Sequence, residues 1–163
     1  MKFEKFIYLM EKNWPSAYQN LFILFPIIEK TSNHIGENIT DVMKEEGLLS
    51  SDFHLLTALR RSKANPPYEL MPSELCNHLL FSWGGLTKVM KRLEGKGIIT
   101  RVDSCHDKRI RMIRLTETGQ QIIEEALTQL QRYHKELLLG FTTDEIALLD
   151  KLLAKLLNNI ESR

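Results

Sequence analysis

Apolar residues recur at two different periods along this chain, and the change of period marks its parts. Residues 3–13 carry a short helical pattern that stops at Trp14-Pro15, because proline disfavours a helical conformation in the residue before it. From Ala17 to about Glu46, Leu21, Phe25, Ile28, Ile35, Ile39, Val42 and Met43 fall at the spacing of one helix face. Gly47 is the expected C′ stop of that helix, and Pro26 inside it predicts a kink or a late start. Ser50 and Ser51 are candidate caps for a next helix whose core side is Phe53, Leu55, Leu56, Ala58 and Leu59. A loop over Lys63–Tyr68 follows, marked by Asn65 and the proline pair.

Pro72 suits the first turn of a short helix through Glu74, Leu75 and Leu79. Ser82 caps a second, Trp83 to Lys96, with Leu86, Val89, Met90 and Leu93 on its apolar side and Gly97 as its stop. The period then shortens to two. Ile98–Val102 and Ile110–Leu115 alternate apolar with basic residues, predicting a two-stranded ribbon joined by Asp103–Arg109. Helical spacing returns in Ile122, Ile123, Ala126, Leu127, Leu130, Tyr133 and Leu137, up to about Gly140. After the capping sequence Thr142-Thr143-Asp144-Glu145, a final helix carries Ile146, Leu149, Leu152, Leu153, Leu156, Leu157 and Ile160. That helix is leucine-rich on more than one face, which calls for a covering partner chain.

The predicted fold is mainly α with a small β wing: a winged helix-turn-helix flanked by long dimerisation helices. Residues 1–47 form the N-terminal helices. Residues 48–115 form the DNA-binding unit, and 116–163 form the C-terminal dimerisation helices.

Charge changes the picture only after the chain is divided. The whole carries 22 basic and 21 acidic residues, whereas residues 50–115 alone hold 12 Lys/Arg against 6 Asp/Glu. A basic middle between acidic arms is suited to attracting a polyanion through one face. The 163 residues are enough for a core without disulfides, and Cys76 and Cys105 make neither a disulfide framework nor a zinc set. No apolar run is long enough to span a bilayer, and Met1-Lys2-Phe3-Glu4-Lys5 does not resemble a secretory signal, so a cytoplasmic protein with no membrane contact is expected.

Enzyme chemistry finds no support. His34, His54, His78, His106 and His134 are scattered without close carboxylate or cysteine partners, and Gly84-Gly85 lacks the surroundings of a phosphate loop. Neither a catalytic site, a metal nor a cofactor is expected. On the second helix of the pair, Thr87, Lys88 and Lys91 lie opposite the apolar stripe, where donors and cations face base edges and phosphates. Trp83, near the helix start, has two readings, contact with backbone sugar or packing on Phe81, of which packing, the common use of tryptophan, is favoured.

Several segments in order resemble the MarR family of bacterial winged-helix regulators. They are Leu49-Ser50-Ser51-Asp52-Phe53, Pro72-Ser73-Glu74-Leu75, Leu86-Thr87-Lys88 with Arg92-Leu93-Glu94, and Lys96-Gly97-Ile98-Ile99 with Arg101. Asp107-Lys108-Arg109 and Leu115-Thr116-Glu117-Thr118-Gly119 complete the set. The resemblance implies a sequence-specific regulator of transcription acting on double-stranded DNA: a homodimer on a palindromic operator, most often a repressor released by a small aromatic or phenolic ligand. It implies DNA contact by Ser82, Gly84, Thr87, Lys88, Lys91 and Arg92, and by Asp107, Lys108 and Arg109 of the wing, where Asp107 orients Arg109 into the minor groove. A narrow A·T-rich groove rewards such an inserted guanidinium. The resemblance also implies dimerisation through residues 1–47 and 116–163, with a ligand pocket between those helices, 1–47 above all, and the winged unit, and Trp14, Tyr18, Phe22, Phe53 and His54 as candidate lining. Departures from the family are Met71 where threonine is common, Lys91 where aspartate is common, and the pair Gly84-Gly85. Two alternatives stay open: a redox response through Cys105, whose basic neighbours favour thiolate, with Cys76 a small core residue, and a regulator that needs no ligand.

Overall fold

The computed structural model describes residues 2–19, 23–79, 81–104 and 109–162. Contacts divide the chain into two units, Met1–Ala126 and Leu127–Arg163. In the first, helices α1 (Phe3–Asn13), α2 (Pro15–Gln19), α3 (Leu24–Glu45) and α4 (Ser50–Arg60) precede a strand β1 (Glu69–Leu70). Then come α5 (Pro72–Leu79), α6 (Trp83–Gly95), β2 (Ile99–Asp103), β3 (Arg111–Leu115) and the start of α7 (Glu117–Leu137). The second unit holds the end of α7 and all of α8 (Thr143–Glu161).

The helix expected over 17–46 is therefore two. Pro26 occupies the third position of α3, inside the first turn, where its missing N–H has no intrahelical partner to lose. Of the kink and the late start, the late start is realised. Gly47 follows the end of α3 at φ +63°, a conformation that costs a residue with Cβ but not glycine.

The starts of α4, α5 and α8 share one device. At α4 neither Ser50 nor Ser51 caps: Leu49 occupies the N-cap position, and the Asp52 carboxylate accepts its backbone N–H at 2.8 Å. At α5 the Glu74 carboxylate accepts the Met71 N–H at 2.7 Å, so an acid two residues beyond Pro72 serves the end that the Met71 side chain cannot. At α8 the box is complete, with Thr142 N–H donating to Glu145 at 2.8 Å and Glu145 N–H to the Thr142 hydroxyl at 3.2 Å. Each satisfies a donor that the helix leaves orphaned.

The ribbon has three strands rather than two, in the order β1-β3-β2 and antiparallel throughout. β2 and β3 pair from Ile99 opposite Leu115 to Asp103 opposite Arg111, and β1 sets Glu69 opposite Arg114. A two-residue strand has no period to detect, so β1 is legible only in the structure. Arg114 Nη2 clamps it to β3 through Glu69 at 2.7 Å.

Leu55, Leu56 and Leu59 of α4, Leu75 of α5, Leu86 and Leu93 of α6 and Ile113 of β3 are sealed from solvent. Each such side chain contributes roughly 1.5–3 kcal/mol of burial free energy. Gly119 locks α7 onto the ribbon: a Cβ there would stand 2.2 Å from the Ile98 carbonyl oxygen, so only glycine permits the approach. No helix among the described residues is long and apolar enough to cross a membrane.

Candidate nucleic-acid interface

The outer face of α6 is built by what its inner face must bury. Leu86, Val89, Met90 and Leu93 pack inward, leaving Trp83, Gly84, Thr87, Lys88 and Lys91 exposed on the opposite side. Ser82 supplies the cap, its hydroxyl accepting the Gly85 N–H at 3.2 Å, and the Thr87 hydroxyl donates back to the Trp83 carbonyl at 2.8 Å. Trp83 does not pack away as expected. Its side chain at the first helical position is 58% exposed, because the inward directions are already taken by the leucine stripe.

Arg92 takes a different part from the DNA contact that the family resemblance implies. Its guanidinium grips the fully buried Asp52 of α4, with Nη2 on Oδ1 at 2.6 Å and Nε on Oδ2 at 3.0 Å, and reaches the Ser51 hydroxyl at 3.2 Å. A forked, charge-assisted pair of this kind fixes orientation as well as distance. Arg92 thus ties α6 to the start of α4. Asp52, which also caps α4, is the positioning residue that the sequence reading missed. Its signal was the spacing of three from Leu49.

Six of the twelve Lys/Arg of residues 50–115 are answered by acids of the protein itself, Arg92 among them. Arg60 pairs with Glu124 at 2.9 Å, Arg101 with Glu94 at 3.2 Å and Arg111 with Asp103 at 3.4 Å. Lys63 and Arg114 share Glu69, and Lys96 donates to the Gly47 carbonyl. The hydrogen bond from Arg60, with a second from Gln120, holds the Glu124 carboxyl below its ordinary range. Lys88 and Lys91 are exposed with no such partner among the described residues, and both project from the outer face of α6. That leaves a compact cationic patch beside Thr87 and the bare backbone of Gly84.

At the wing, Ser104 N–H donates to the Ile110 carbonyl at 2.9 Å and closes the connection, with Arg109 exposed at its end. Asp107, Lys108 and Cys105 lie outside the described residues, so the expected orientation of Arg109 by Asp107 does too. Cys76 is half-buried, its thiol donating to the Phe81 carbonyl at 2.9 Å.

The candidate ligand residues separate. Phe53 is 7% exposed within the core, whereas Trp14, following α1, is 62% exposed. Tyr18 is half-buried on α2, and Phe22 lies outside the described residues. His54 is exposed and meets the Phe53 ring edge-on at 5.6 Å. It lines a surface cavity of about 260 Å³ with Thr57, Arg61, His78 and Leu79. Phe53 is thus corrected from pocket wall to core, as the apolar side of α4 requires.

A short helix, a turn, a second helix with a cationic outer face and an antiparallel wing define a winged helix-turn-helix protein. Residues 37–126 match the family model described as transcriptional regulator SarA/Rot. The HTH-type transcriptional regulator YdgJ of Bacillus subtilis is 32% identical over 116 residues, 71% of this chain and 68% of that one. PrsX of Escherichia coli, another HTH-type transcriptional regulator, is 28% identical over 152 residues, 93% of this chain and 90% of its own. A mutant of MarR from E. coli, solved in complex with operator DNA, superposes with a TM-score of 0.68 at 28% identity, covering 91% of this chain and 98% of that one. The chain belongs to the MarR family: it is a helix-turn-helix transcriptional regulator that binds DNA.

Proposed function

We propose that this protein acts as a homodimer on a palindromic operator, with residues 48–115 binding DNA and residues 1–47 and 116–163 joining the two copies. The observation that carries the DNA face is the pair Lys88 and Lys91, exposed and unpaired among the described residues on the outer side of α6. Thr87, the Gly84 backbone and the capped end at Ser82 complete the major-groove surface. Arg109, with Asp107 and Lys108, reaches the minor groove. Arg92 holds the helix in place through Asp52 rather than touching DNA.

Dimerisation is supported by α8, which buries none of its residues in the single chain. Leu149, Leu153 and Ile160 are 42, 41 and 59% exposed and, with Leu156, follow one another at three and four. An apolar stripe of that length is what a two-fold partner covers. Two dyad-related recognition helices then read half-sites about one helical turn apart, roughly 34–36 Å.

Repression released by a small aromatic or phenolic ligand is the regulatory reading, and it follows the habit of the family. Trp14 is its reporter. In a Trp83→Phe background its fluorescence should change on titration with phenolic acids that also release DNA; release without such a change moves the pocket away from Trp14. The decisive experiment for the whole reading is selection of bound duplexes from a random pool, followed by footprinting. A paired, symmetric footprint is expected, and an asymmetric single half-site contact would overturn the dimeric part.

A further inference from the structure

We propose that Trp83 is a base-reading residue that recognises the C5-methyl and O4 of a thymine in the major groove. The inference rests on the DNA-binding role of α6 set out above and names the base read by one residue of that helix.

In helix-turn-helix proteins the first residues of the recognition helix meet the base edges. In this chain that turn carries few side chains. The Ser82 hydroxyl accepts the Gly85 N–H and keeps its own proton to donate, while the Thr87 hydroxyl donates to the Trp83 carbonyl and can still accept. Gly84 and Gly85 have no side chain. The one large group is the Trp83 indole, 58% exposed, with no hydrogen bond, ion pair or ring contact among the described residues.

Packing does not demand glycine at position 84, since a Cβ there would meet nothing within 4 Å. Helix propensity does not favour glycine there either. The bare backbone beside the indole leaves room for a base-pair edge to come close.

The indole presents a broad apolar edge and one donor, Nε1–H, with no acceptor. Thymine alone among the bases offers the complement in the major groove, a methyl group next to the O4 acceptor. Cytosine presents an amino donor at the equivalent position, adenine pairs its N7 with an amino donor, and guanine has acceptors but no methyl.

The test replaces each thymidine of the selected operator by deoxyuridine, which deletes only the methyl. Wild type is expected to lose about fourfold in affinity at one position of each half-site, the scale of one buried methyl. Trp83→Ala should bind the thymidine and deoxyuridine duplexes equally, because the group that felt the methyl is gone. Thr87→Ser keeps the hydroxyl bond and removes the other nearby methyl; it should retain the wild-type sensitivity. The inference is overturned if Trp83→Ala stays as sensitive as wild type, if Thr87→Ser abolishes the sensitivity, or if no deoxyuridine matters to wild type. A pool that yields no preferred duplex overturns the DNA-reading role itself, a result distinct from all three.

Discussion

At the scale of single residues, the most consequential contact is between Asp52 and Arg92. Removing one partner of a buried pair strands the other, and the loss is large because the carboxylate has no water to return to. Arg92 is itself 30% exposed, so the lower end of the usual range applies. Arg92→Ala is expected to cost about 3 kcal/mol of stability in urea unfolding. Its effect on DNA affinity should be uniform across sequences, because it loosens α6 as a whole. An Arg92→Ala protein with wild-type stability but altered base preference would return Arg92 to the DNA face. Gly119 gives a second expectation. Gly119→Ala drives a methyl into the Ile98 carbonyl and the Leu115 side chain, an overpacking that costs roughly 2–3 kcal/mol or more, read as a lowered unfolding midpoint.

At the scale of elements, the acid at the third position of α8, Glu145, carries a pH dependence. The Glu145 carboxyl lies below its ordinary range, chiefly because it accepts the Thr142 backbone N–H and secondly the Thr142 hydroxyl. A folded-state value depressed in this way contributes stability that is present above the unfolded value and is lost as pH falls through the folded one. Glu145→Gln keeps an acceptor oxygen but not the charge. The melting temperature of wild type should therefore exceed that of Glu145→Gln at neutral pH, and the gap should close in acid. A gap that is unchanged by acid would show that charge at this end is irrelevant. Thr142→Ala removes the other half of the box and should cost about 1 kcal/mol at neutral pH in the same melts.

The whole molecule is nearly neutral at a formal +1, yet α6 presents a cationic face: within residues 50–115 Arg60, Lys63, Arg92, Arg101, Arg111 and Arg114 are answered by acids, while Lys88 and Lys91, like Arg61, have no acid partner among the described residues. Each phosphate contact releases counterions on binding. Lys88→Ala and Lys91→Ala should each flatten the slope of log affinity against log salt by about one unit if they meet phosphates. A slope unchanged with binding weakened at one base position would place them on base edges instead. Arg114→Ala, whose cation is spent on Glu69, should leave the slope as it is. Leu153→Glu on α8 sets a charge in the apolar stripe, and the proposed dimer should then give way to monomers in sedimentation at equal concentration. A Leu153→Glu protein that still dimerises would move the interface off α8.

Most elements and their order were legible in the chain by itself, since the hydrophobic period is a local property and starts such as Ser82 and Thr142 carry their own capping residue. The outer face of α6 was legible too: once Leu86, Val89, Met90 and Leu93 are assigned inward, Thr87, Lys88 and Lys91 can only face out. Tertiary structure decided whatever depended on a distant partner. Whether Arg92 meets DNA or Asp52, and whether Arg60 and Arg114 are available or answered by Glu124 and Glu69, is settled by residues 40, 64 and 45 positions away. Local sequence carries no trace of them. The strand β1 is the extreme case: two residues have no period of their own, and they are a strand only because Arg114 and Ile113 stand opposite them.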